Sequence, residues 1–182
     1  MVFIEFPELE TERLRLRRII GRDIDKVYAG LSDERVVRHY AVSFSSWEAT
    51  QEQMDWFDKL WTTRTGIWWA ITEKGQTDLA GSCGFNNYSA QHRRAELGYW
   101  LLPEHWGKGW ATEALRAILA YGFDEMKLHR VEAFVEGGNE RSNHLLERLG
   151  FQHEGTLKEC EWKNGRFIDI LIFSLLRKMY YI

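Results

Sequence analysis

The stretch HWGKGWATEAL, His105 to Leu115, decides the fold prediction because it places two glycines between a strand-like run and a helix-like run. Upstream, RAELGYWLL at 94–102 is typical of a strand that ends before Pro103. Glycine weakens helices and strands alike, so Gly107 and Gly109 indicate a special backbone requirement at this junction. Downstream, apolar residues recur on one helical face, at Ala111, Ala114, Leu115, Ile118 and Tyr121.

A strand, a glycine turn and a helix start together form a geometry that holds an anion. The first N–H groups of a helix have no partner within the helix, and the helix dipole places partial positive charge there. Glycines with positive φ let successive N–H groups converge on a phosphate. The sequence therefore predicts a phosphate site at residues 107–112. A plain tight turn before a helix is the alternative for the glycines alone.

Two well-known phosphate motifs fit this stretch poorly. A P-loop reads G-x-x-x-x-G-K-[ST]. It is disfavoured here because Gly109 rather than Ser or Thr follows Lys108, and because no glycine lies five residues before Gly107. A dinucleotide fingerprint is met only in part, since Thr112 stands where the third glycine belongs, although Glu132 lies where a ribose ligand would be needed. A nucleotide-binding oxidoreductase domain is therefore the weakest of the three functional hypotheses weighed below.

Composition limits the class of protein. The 182 residues suit one domain, and 45% hydrophobic with 28% charged residues is typical of a globular chain. A net charge of −3 argues against nucleic acid as a partner. The N-terminal residues do not resemble a signal peptide, and no segment is apolar enough to suggest a membrane partner. Cys83 and Cys160 lack metal-ligand spacing, so we expect no metal site, two free thiols and a cytoplasmic location.

The remaining periodicities predict a single α/β (α+β) domain over residues 8–178. Its expected sheet is mixed and mostly antiparallel, with six to seven strands, helices on both faces and a parallel strand–helix–strand unit over Arg94 to Gly137. We expect Asp23 to cap the first long helix and Ser45 with Glu48 to form a capping box before a later one. Shorter signals predict a helix over Glu34–His39, a helix that starts at Asn139 and ends before Gly150, and a hairpin turning at Asn164-Gly165.

Tryptophan is frequent, with nine in the chain. Core packing is the expectation for most of them, and a ligand cleft for one or two. Five fall close together and suggest an apolar wall for an acceptor: Trp47, Trp56, Trp61, Trp68 and Trp69.

The order of these motifs resembles the GNAT superfamily of acetyl-CoA-dependent N-acetyltransferases. AELGYWLLPEHWGKGWATEAL followed by NERSNHLLERLGF carries the resemblance, and the opening strand and closing hairpin extend it over most of residues 10 to 177. The branch that includes the ribosomal-protein alanine and serine N-acetyltransferases is the most similar. The resemblance implies a sheet splayed between two central parallel strands, acetyl-CoA as cosubstrate and direct attack by a substrate amine.

The family motif Q/R-x-x-G-x-G/A is met at Gly109 and Ala111, whereas Trp106 replaces its Gln or Arg. The resemblance implies that backbone amides hold the pyrophosphate and that the main chain of the preceding strand holds the pantetheine arm. Asn139 matches a cofactor-contacting Asn, with a plain helix cap as the compatible alternative. The implied cofactor set is Leu101, Leu102, Trp106, Gly107, Lys108, Gly109, Trp110, Ala111, Thr112, Asn139 and Ser142.

For the general acid, the family's usual Tyr is Leu146 here, so the resemblance implies Ser142, one turn earlier, as the acid. A role of Ser142 in the first helical turn alone is the alternative. For the base we choose Glu96, which strand alternation places on one face with Gly98 and Trp100. A surface carboxylate paired with Arg93 or Arg94 is the alternative for Glu96.

Other nucleophiles and bases rank lower. His105 and His129 are the further candidates for the base, because imidazole titrates near neutrality. Cys83 has no nucleophile signature around it, so a buried structural thiol is expected.

Two functional hypotheses stand ahead of the oxidoreductase domain. The first is an N-acetyltransferase that acts on a protein N-terminus or a small amine, with Glu96 or Glu136 able to attract a cation. The second is a CoA or acyl-CoA sensor on the same fold with little turnover. The identity of the acceptor stays open, and a homodimer is expected by analogy only.

Overall fold

The computed structural model describes residues 5–40 and 42–181. The strands are β1 Leu9–Glu10, β2 Leu14–Arg18, β3 Ile67–Glu73, β4 Gly81–Ser89, β5 Arg94–Leu101, β6 Arg130–Glu136, β7 Gln152–Lys163 and β8 Arg166–Leu176. The α-helices are α1 Ile24–Leu31, α2 Glu34–Val37, α3 Gln51–Thr63, α4 Trp110–Asp124, α5 Glu140–Arg148 and α6 Arg177–Tyr180. In these two ranges no helix has the length and apolar character needed to cross a bilayer.

The strands form one mixed sheet in the order β1-β2-β3-β4-β5-β6-β8-β7. Every neighbouring pair is antiparallel except β5 and β6, which run parallel on either side of the crossover helix α4. The predicted mixed sheet and its central parallel pair are confirmed. The described residues form eight strands rather than the predicted six to seven, because the two-residue β1, which pairs Leu9 with Leu16, is too short for periodicity to reveal.

The parallel pair separates soon after it begins. Residues Arg94–Glu96 of β5 pair with Arg130–Glu132 of β6, and β5 then continues to Leu101 without that neighbour. The backbone groups of β5 that face β6 are therefore free of ladder hydrogen bonds over this open part. The predicted splay between the central strands is confirmed, and it opens a passage through the sheet.

The sheet is covered on both faces, as predicted. One buried cluster joins the sheet to α4 and α5 through Ala114, Leu115, Ile118 and Leu146. The other joins the opposite face to α1 and α3 through Val27, Leu31, Phe57 and Leu60. Alternation along β5 sends Leu97 and Leu101 to the first cluster and Trp100 to the second. The passage between β5 and β6 thus connects two differently built sides of the molecule.

One predicted helix cap is confirmed in position only, and the other is wrong. Asp23 is the N-cap residue of α1, but its buried carboxylate does not bond to the helix: it forms a bidentate ion pair with Arg17 and accepts a hydrogen bond from the N–H of Ile20. The later helix α3 begins at Gln51 after a 3₁₀ turn over Glu48–Thr50, and the side-chain cap comes from Ser46 rather than from Ser45. Helix α2 also ends earlier than expected, at Val37.

Two turn predictions are confirmed. Asn164 and Gly165 both have positive φ, 51° and 78°, and connect Lys163 of β7 to Arg166 of β8 as a two-residue hairpin. Gly150 has a φ of 90° just past the end of α5. The closing hairpin then brings β7 and its Lys163 against the segment after α2.

Candidate active site

The passage between β5 and β6 holds a cavity of about 1200 Å³. Four segments line it: residues 35–40 at the end of α2, residues 97–101 of β5, residues 105–112 before and within α4, and residues 133–148 of β6 and α5. Because the lining comes from both faces of the sheet, the cavity can receive two molecules from opposite sides. This is the geometry that a transfer reaction between two substrates requires.

At the α4 end, the glycine loop has the conformation that the sequence predicted. Gly107 and Gly109 have φ of 73° and 79°, and α4 begins at Trp110. The N–H of Glu113 donates to the carbonyl of Gly109 at 3.1 Å. The preceding helical amides have no carbonyl one turn earlier, so they remain available to an anion. Of residues 107–112, only Lys108 does not line the cavity. The lining residues are Gly107, Gly109, Trp110, Ala111 and Thr112.

A brace that sequence reasoning missed holds this loop in place. The Arg13 guanidinium donates to the carbonyl of Lys108 at 3.0 Å and to the carboxylate of Glu113 at 2.7 Å. The hydroxyl of Thr11 donates to the same carboxylate. Burial raises the pKa of Glu113, but the hydrogen bonds from Thr11 and Arg13 outweigh it and hold that pKa below its ordinary value. No local pattern joins residues a hundred positions apart, so the sequence carries no signal for this brace.

Trp106, which departs from the family motif, has two specific contacts. Its Nε1–H donates to the carbonyl of Leu101 at 2.8 Å, and the Arg141 guanidinium lies 5.2 Å from its ring centroid. The indole therefore connects the loop to the end of β5. Arg141 of α5 places a cation beside Trp106, the position at which the family motif has Gln or Arg. Leu102, by contrast, does not line the cavity: it is buried in the opposite core, and its N–H donates to Ala80.

The first turn of α5 lies across the cavity from this loop. The Asn139 side chain accepts a hydrogen bond from the N–H of Ser142 at 3.3 Å, so the helix-cap interpretation of Asn139 is confirmed. Both residues line the cavity, as does Leu145. Leu146, at the position of the family's usual Tyr, is fully buried in the core instead.

Ser142 has a partner that sequence reasoning missed. The hydroxyl oxygens of Ser142 and Tyr99 lie 2.6 Å apart, and both residues line the cavity. Burial raises the pKa of Tyr99 to about 12, partly offset by the hydrogen bond with Ser142, so this phenol stays protonated at neutral pH. Strand alternation could have found Tyr99, because it shares a face of β5 with Leu97 and Leu101 at the edge of the passage.

Glu96 lies away from this hydroxyl pair. Glu96 occupies the last position at which β5 pairs with β6, and it does not line the cavity. Its carboxylate accepts a hydrogen bond from the Asn87 side-chain amide at 2.7 Å. The alternative of an ion pair with Arg93 or Arg94 is wrong, because the Glu96 carboxylate is held by Asn87 and Arg94 contacts Glu132 at 3.3 Å. Burial and the nearby Glu96 charge raise the pKa of Tyr40, which does line the cavity.

The lower-ranked candidates are distributed as follows. His105 lines the cavity and stacks on Trp110 with ring centroids 4.8 Å apart, and burial lowers its pKa. His129 lies outside the lining, where its N–H donates to Arg93. Cys83 is fully buried, and burial raises its thiol pKa, which suits an inert core residue.

Beyond α2, the half-buried carboxylate of Glu136 holds the side of the cavity that lies across from α5. Glu136 forms an ion pair with Lys163, whose ammonium also donates to the carbonyls of Arg38 and Tyr40 at 3.2 and 3.0 Å. His39 lines the cavity, with its Nδ1 3.8 Å from the Glu136 carboxylate. Burial lowers the pKa of His39 and Glu136 opposes this only in part, which favours the neutral form of the His39 imidazole.

The tryptophan cluster is not part of this cavity. Trp68 and Trp69 are buried in opposite cores, Trp56 packs on Trp68, and Trp61 packs on Phe6. The indole of exposed Trp47 donates to Asp25. An acceptor wall built from these five residues is therefore wrong for this cavity. The aromatic lining comes from elsewhere: Tyr40, Tyr99, Trp100, Trp106, Trp110 and Phe134.

Comparison with known proteins identifies the family. Residues 13–152 match the acetyltransferase (GNAT) domain. The chain is 38% identical over 173 residues to the uncharacterized N-acetyltransferase YoaA of Bacillus subtilis (strain 168), which covers 94% of this chain and 98% of that protein. It is 38% identical over 100 residues, 55% of each chain, to the putative ribosomal N-acetyltransferase YdaF of the same organism.

A solved structure extends the comparison to a protein with bound CoA. The spermidine N-acetyltransferase from Vibrio cholerae, crystallised with CoA and spermine, superposes with a TM-score of 0.83 at 25% identity and covers 93% of this chain and 98% of that one. The chain belongs to the GNAT family, and it is an N-acetyltransferase that uses acetyl-CoA to acetylate an amine.

Proposed function

We propose that acetyl-CoA binds in the passage between β5 and β6, with its pyrophosphate on the glycine loop and its thioester beside Ser142, and that a primary amine enters from the α2 side. The observation that carries this proposal is the continuous cavity that joins the free amides of residues 110–112 to the Ser142–Tyr99 hydroxyl pair. The residues present fit CoA, because both loop glycines have positive φ and nothing lies within 4 Å of the Cβ position of Gly107.

Each part of the cofactor has suitable groups along this path. The amides at the start of α4 suit the pyrophosphate, with Arg141 supplying the cation that Trp106 does not. The unpaired edge of β5 beyond Glu96 suits the amides of the pantetheine arm. The carbonyl of Leu101 is taken by Trp106, so we assign this role to the backbone of residues 97–100 rather than to Leu101 and Leu102.

Ser142 is the proposed acid. When the amine nitrogen forms its bond to the acetyl carbon, the carbon–sulfur bond breaks and the sulfur needs a proton or a hydrogen bond. The Tyr99 hydroxyl donates to Ser142 Oγ in this proposal, which leaves the Ser142 proton directed into the cavity. Tyr99 is thus a positioning residue for Ser142.

His39 replaces Glu96 as the proposed base. A base must reach the amine, and Glu96 does not line the cavity, whereas His39 lines it from the wall opposite Ser142. A neutral imidazole can accept the proton that the amine nitrogen loses. Glu136, 3.8 Å away, stabilises the imidazolium that results.

A thiol-release assay with acetyl-CoA and a panel of amines tests the proposal, together with calorimetric titration of CoA. We expect CoA binding and turnover with at least one primary amine, both weakened by changes in the glycine loop. Tight CoA binding without turnover of any amine would favour the sensor hypothesis, for which the site provides no separate support. Absence of CoA binding would contradict both.

A further inference from the structure

The charges that line the cavity are unequal. Its arginines are Arg35, Arg38, Arg141 and Arg148, whereas Glu140 is the one carboxylate in the lining formed by the described residues. This contrasts with the whole chain, whose net charge is −3. A cationic cavity in an acidic protein favours anionic ligands, both on the side proposed for CoA and on the α2 side proposed for the amine.

The four arginines form two groups. Arg141 lies over Trp106, and Arg148 also lines a small hollow beside Gly109 and Thr112, so this pair on α5 accompanies the phosphate end. Arg35 of α2 and Arg38, the residue that follows α2, line the cavity on the side proposed for the amine. The acceptor compartment therefore has its own positive charge, separate from the charge that serves CoA.

Within the α2 pair, Arg38 is the cation available to a ligand. Arg35 is engaged by Asp33 in a bidentate pair, with distances of 3.0 and 2.6 Å. Arg38 is exposed, and its side chain forms no ion pair with any residue in the described ranges. Its backbone carbonyl is held by Lys163, which fixes the position from which the guanidinium projects.

The nearby carboxylates offer little to a polycation. Glu96 is bound by the Asn87 amide, Glu132 by Arg94 and Arg130, and Glu136 by Lys163. None of the three lines the cavity. Two of these carboxylates are paired with cations and the third is hydrogen-bonded to a neutral amide, and none of them lines the cavity in which a polyamine would bind.

We propose that the acceptor is an amine that carries a carboxylate close to the reacting nitrogen, with Arg38 as the residue that recognises this carboxylate. The inference rests on the proposed function, because it assigns the α2 side to the acceptor. Two sources share this chemistry: a free amino-acid-type amine, and a peptide whose first residues are acidic. A polyamine such as spermidine is the opposite case.

The test compares kcat/KM for matched acceptors in the thiol-release assay. The set is tetrapeptide amides that begin Ala-Asp-Glu, Ala-Asn-Gln or Ala-Lys-Arg, free glutamate, and spermidine. We expect kcat/KM for the Ala-Asp-Glu peptide, for glutamate or for both to exceed that of the neutral Ala-Asn-Gln peptide by roughly threefold to thirtyfold, as one charge pair in a partly enclosed site allows. The relative rates of peptide and glutamate identify the source of the carboxylate. Spermidine or the basic peptide as the best acceptor would overturn the inference.

Variants separate this role of Arg38 from CoA binding. Arg38→Glu should raise KM for the acidic acceptor, improve the basic peptide and leave the acetyl-CoA KM unchanged, whereas Arg148→Gln should raise the acetyl-CoA KM without changing the order of acceptors. Arg22→Glu makes the same charge change on an exposed residue outside the cavity, and it should change neither the order of acceptors nor the acetyl-CoA KM. A shift confined to the acetyl-CoA KM in Arg38→Glu would overturn the inference. No turnover with any amine would overturn the proposed function and this inference with it.

Discussion

The two walls of the cavity are built in different ways. The wall at the glycine loop is local in sequence and made mainly of backbone: residues 105–112 present the free amides of α4. The wall at α2 is made of side chains from distant segments, where His39 and Arg38 depend on Glu136 of β6 and Lys163 of β7. The first wall suits a ligand shared by a whole family, and the second suits a ligand that differs between its members. The predictions below test this division, from the largest expected effect to the smallest.

Ser142→Ala removes the proposed acid between the two walls. We expect kcat to fall by roughly 10- to 1,000-fold, the usual range for an acid–base group, with the acetyl-CoA KM little changed. Steady-state kinetics with saturating amine measure this, and an unchanged far-UV circular dichroism spectrum and melting temperature show that the protein remains folded. A wild-type kcat would reduce Ser142 to a residue of the first helical turn.

Gly109→Val tests the backbone wall. A β-branched residue at a φ of 79° is strained by about 1–3 kcal/mol, so the loop should leave its anion-binding conformation. We expect the acetyl-CoA KM to rise by roughly 10- to 100-fold while the acceptor KM changes little. Gly75→Val is the matched control, because Gly75 also has positive φ but lies in a distant turn. Equal acetyl-CoA KM values in the two variants would contradict the cradle.

His39→Gln tests the side-chain wall. We expect kcat to fall by about 10- to 100-fold if the imidazole takes the amine proton. Since burial lowers the pKa of His39 below its ordinary 6.5, the wild-type kcat should fall only as pH drops below that value, and the variant should lose this acidic limb. The charges that face His39 are Glu136, Arg38, Lys163 and Arg166. The same acidic limb in the variant would exclude His39 as the base.

Tyr99→Phe keeps the ring and removes the hydroxyl that contacts Ser142. We expect kcat to fall about 3- to 10-fold, the range for one hydrogen bond, with no effect in a Ser142→Ala background. A double-mutant cycle on kcat measures this coupling. Additive effects of the two changes would mean that Tyr99 acts independently of Ser142.

Glu113→Gln weakens the brace behind the glycine loop and should have the smallest effect. We expect a loss of about 1 kcal/mol of stability at pH 7, because a charge-assisted contact with Arg13 becomes neutral. The folded-state pKa of Glu113 is depressed, so its contribution is present above the ordinary value of 4.5 and lost as pH falls below it. Urea unfolding at pH 7 and at pH 3.5 measures the difference in unfolding free energy between the wild type and the variant, which should be smaller at pH 3.5. An equal difference at both pH values would mean that the lost stability does not come from the ionised Glu113 carboxylate.

The sequence predicted most of the fold and the backbone wall because both follow short-range rules. Strand alternation, the Asn164-Gly165 turn and the glycines before α4 act over a few residues and appear as local patterns. The same reasoning gave the Asp23 side chain a hydrogen bond to its own helix, whereas that carboxylate pairs with Arg17 on β2, six residues earlier. It also misjudged the tryptophan cluster, because composition does not tell which face of the sheet each ring joins.

The amino-acid sequence by itself determined the order of elements, the mixed sheet and the anion-binding start of α4, since propensity, periodicity and glycine conformation are local properties. Only the tertiary structure decided which side chains meet in the cavity. It brought Tyr99 to Ser142, directed Glu96 away to Asn87, and used Lys163 to hold Arg38 on the acceptor side. Those contacts join residues nine to more than a hundred positions apart, and their energies depend on burial and direction, which the chain acquires only when the sheet and helices have packed.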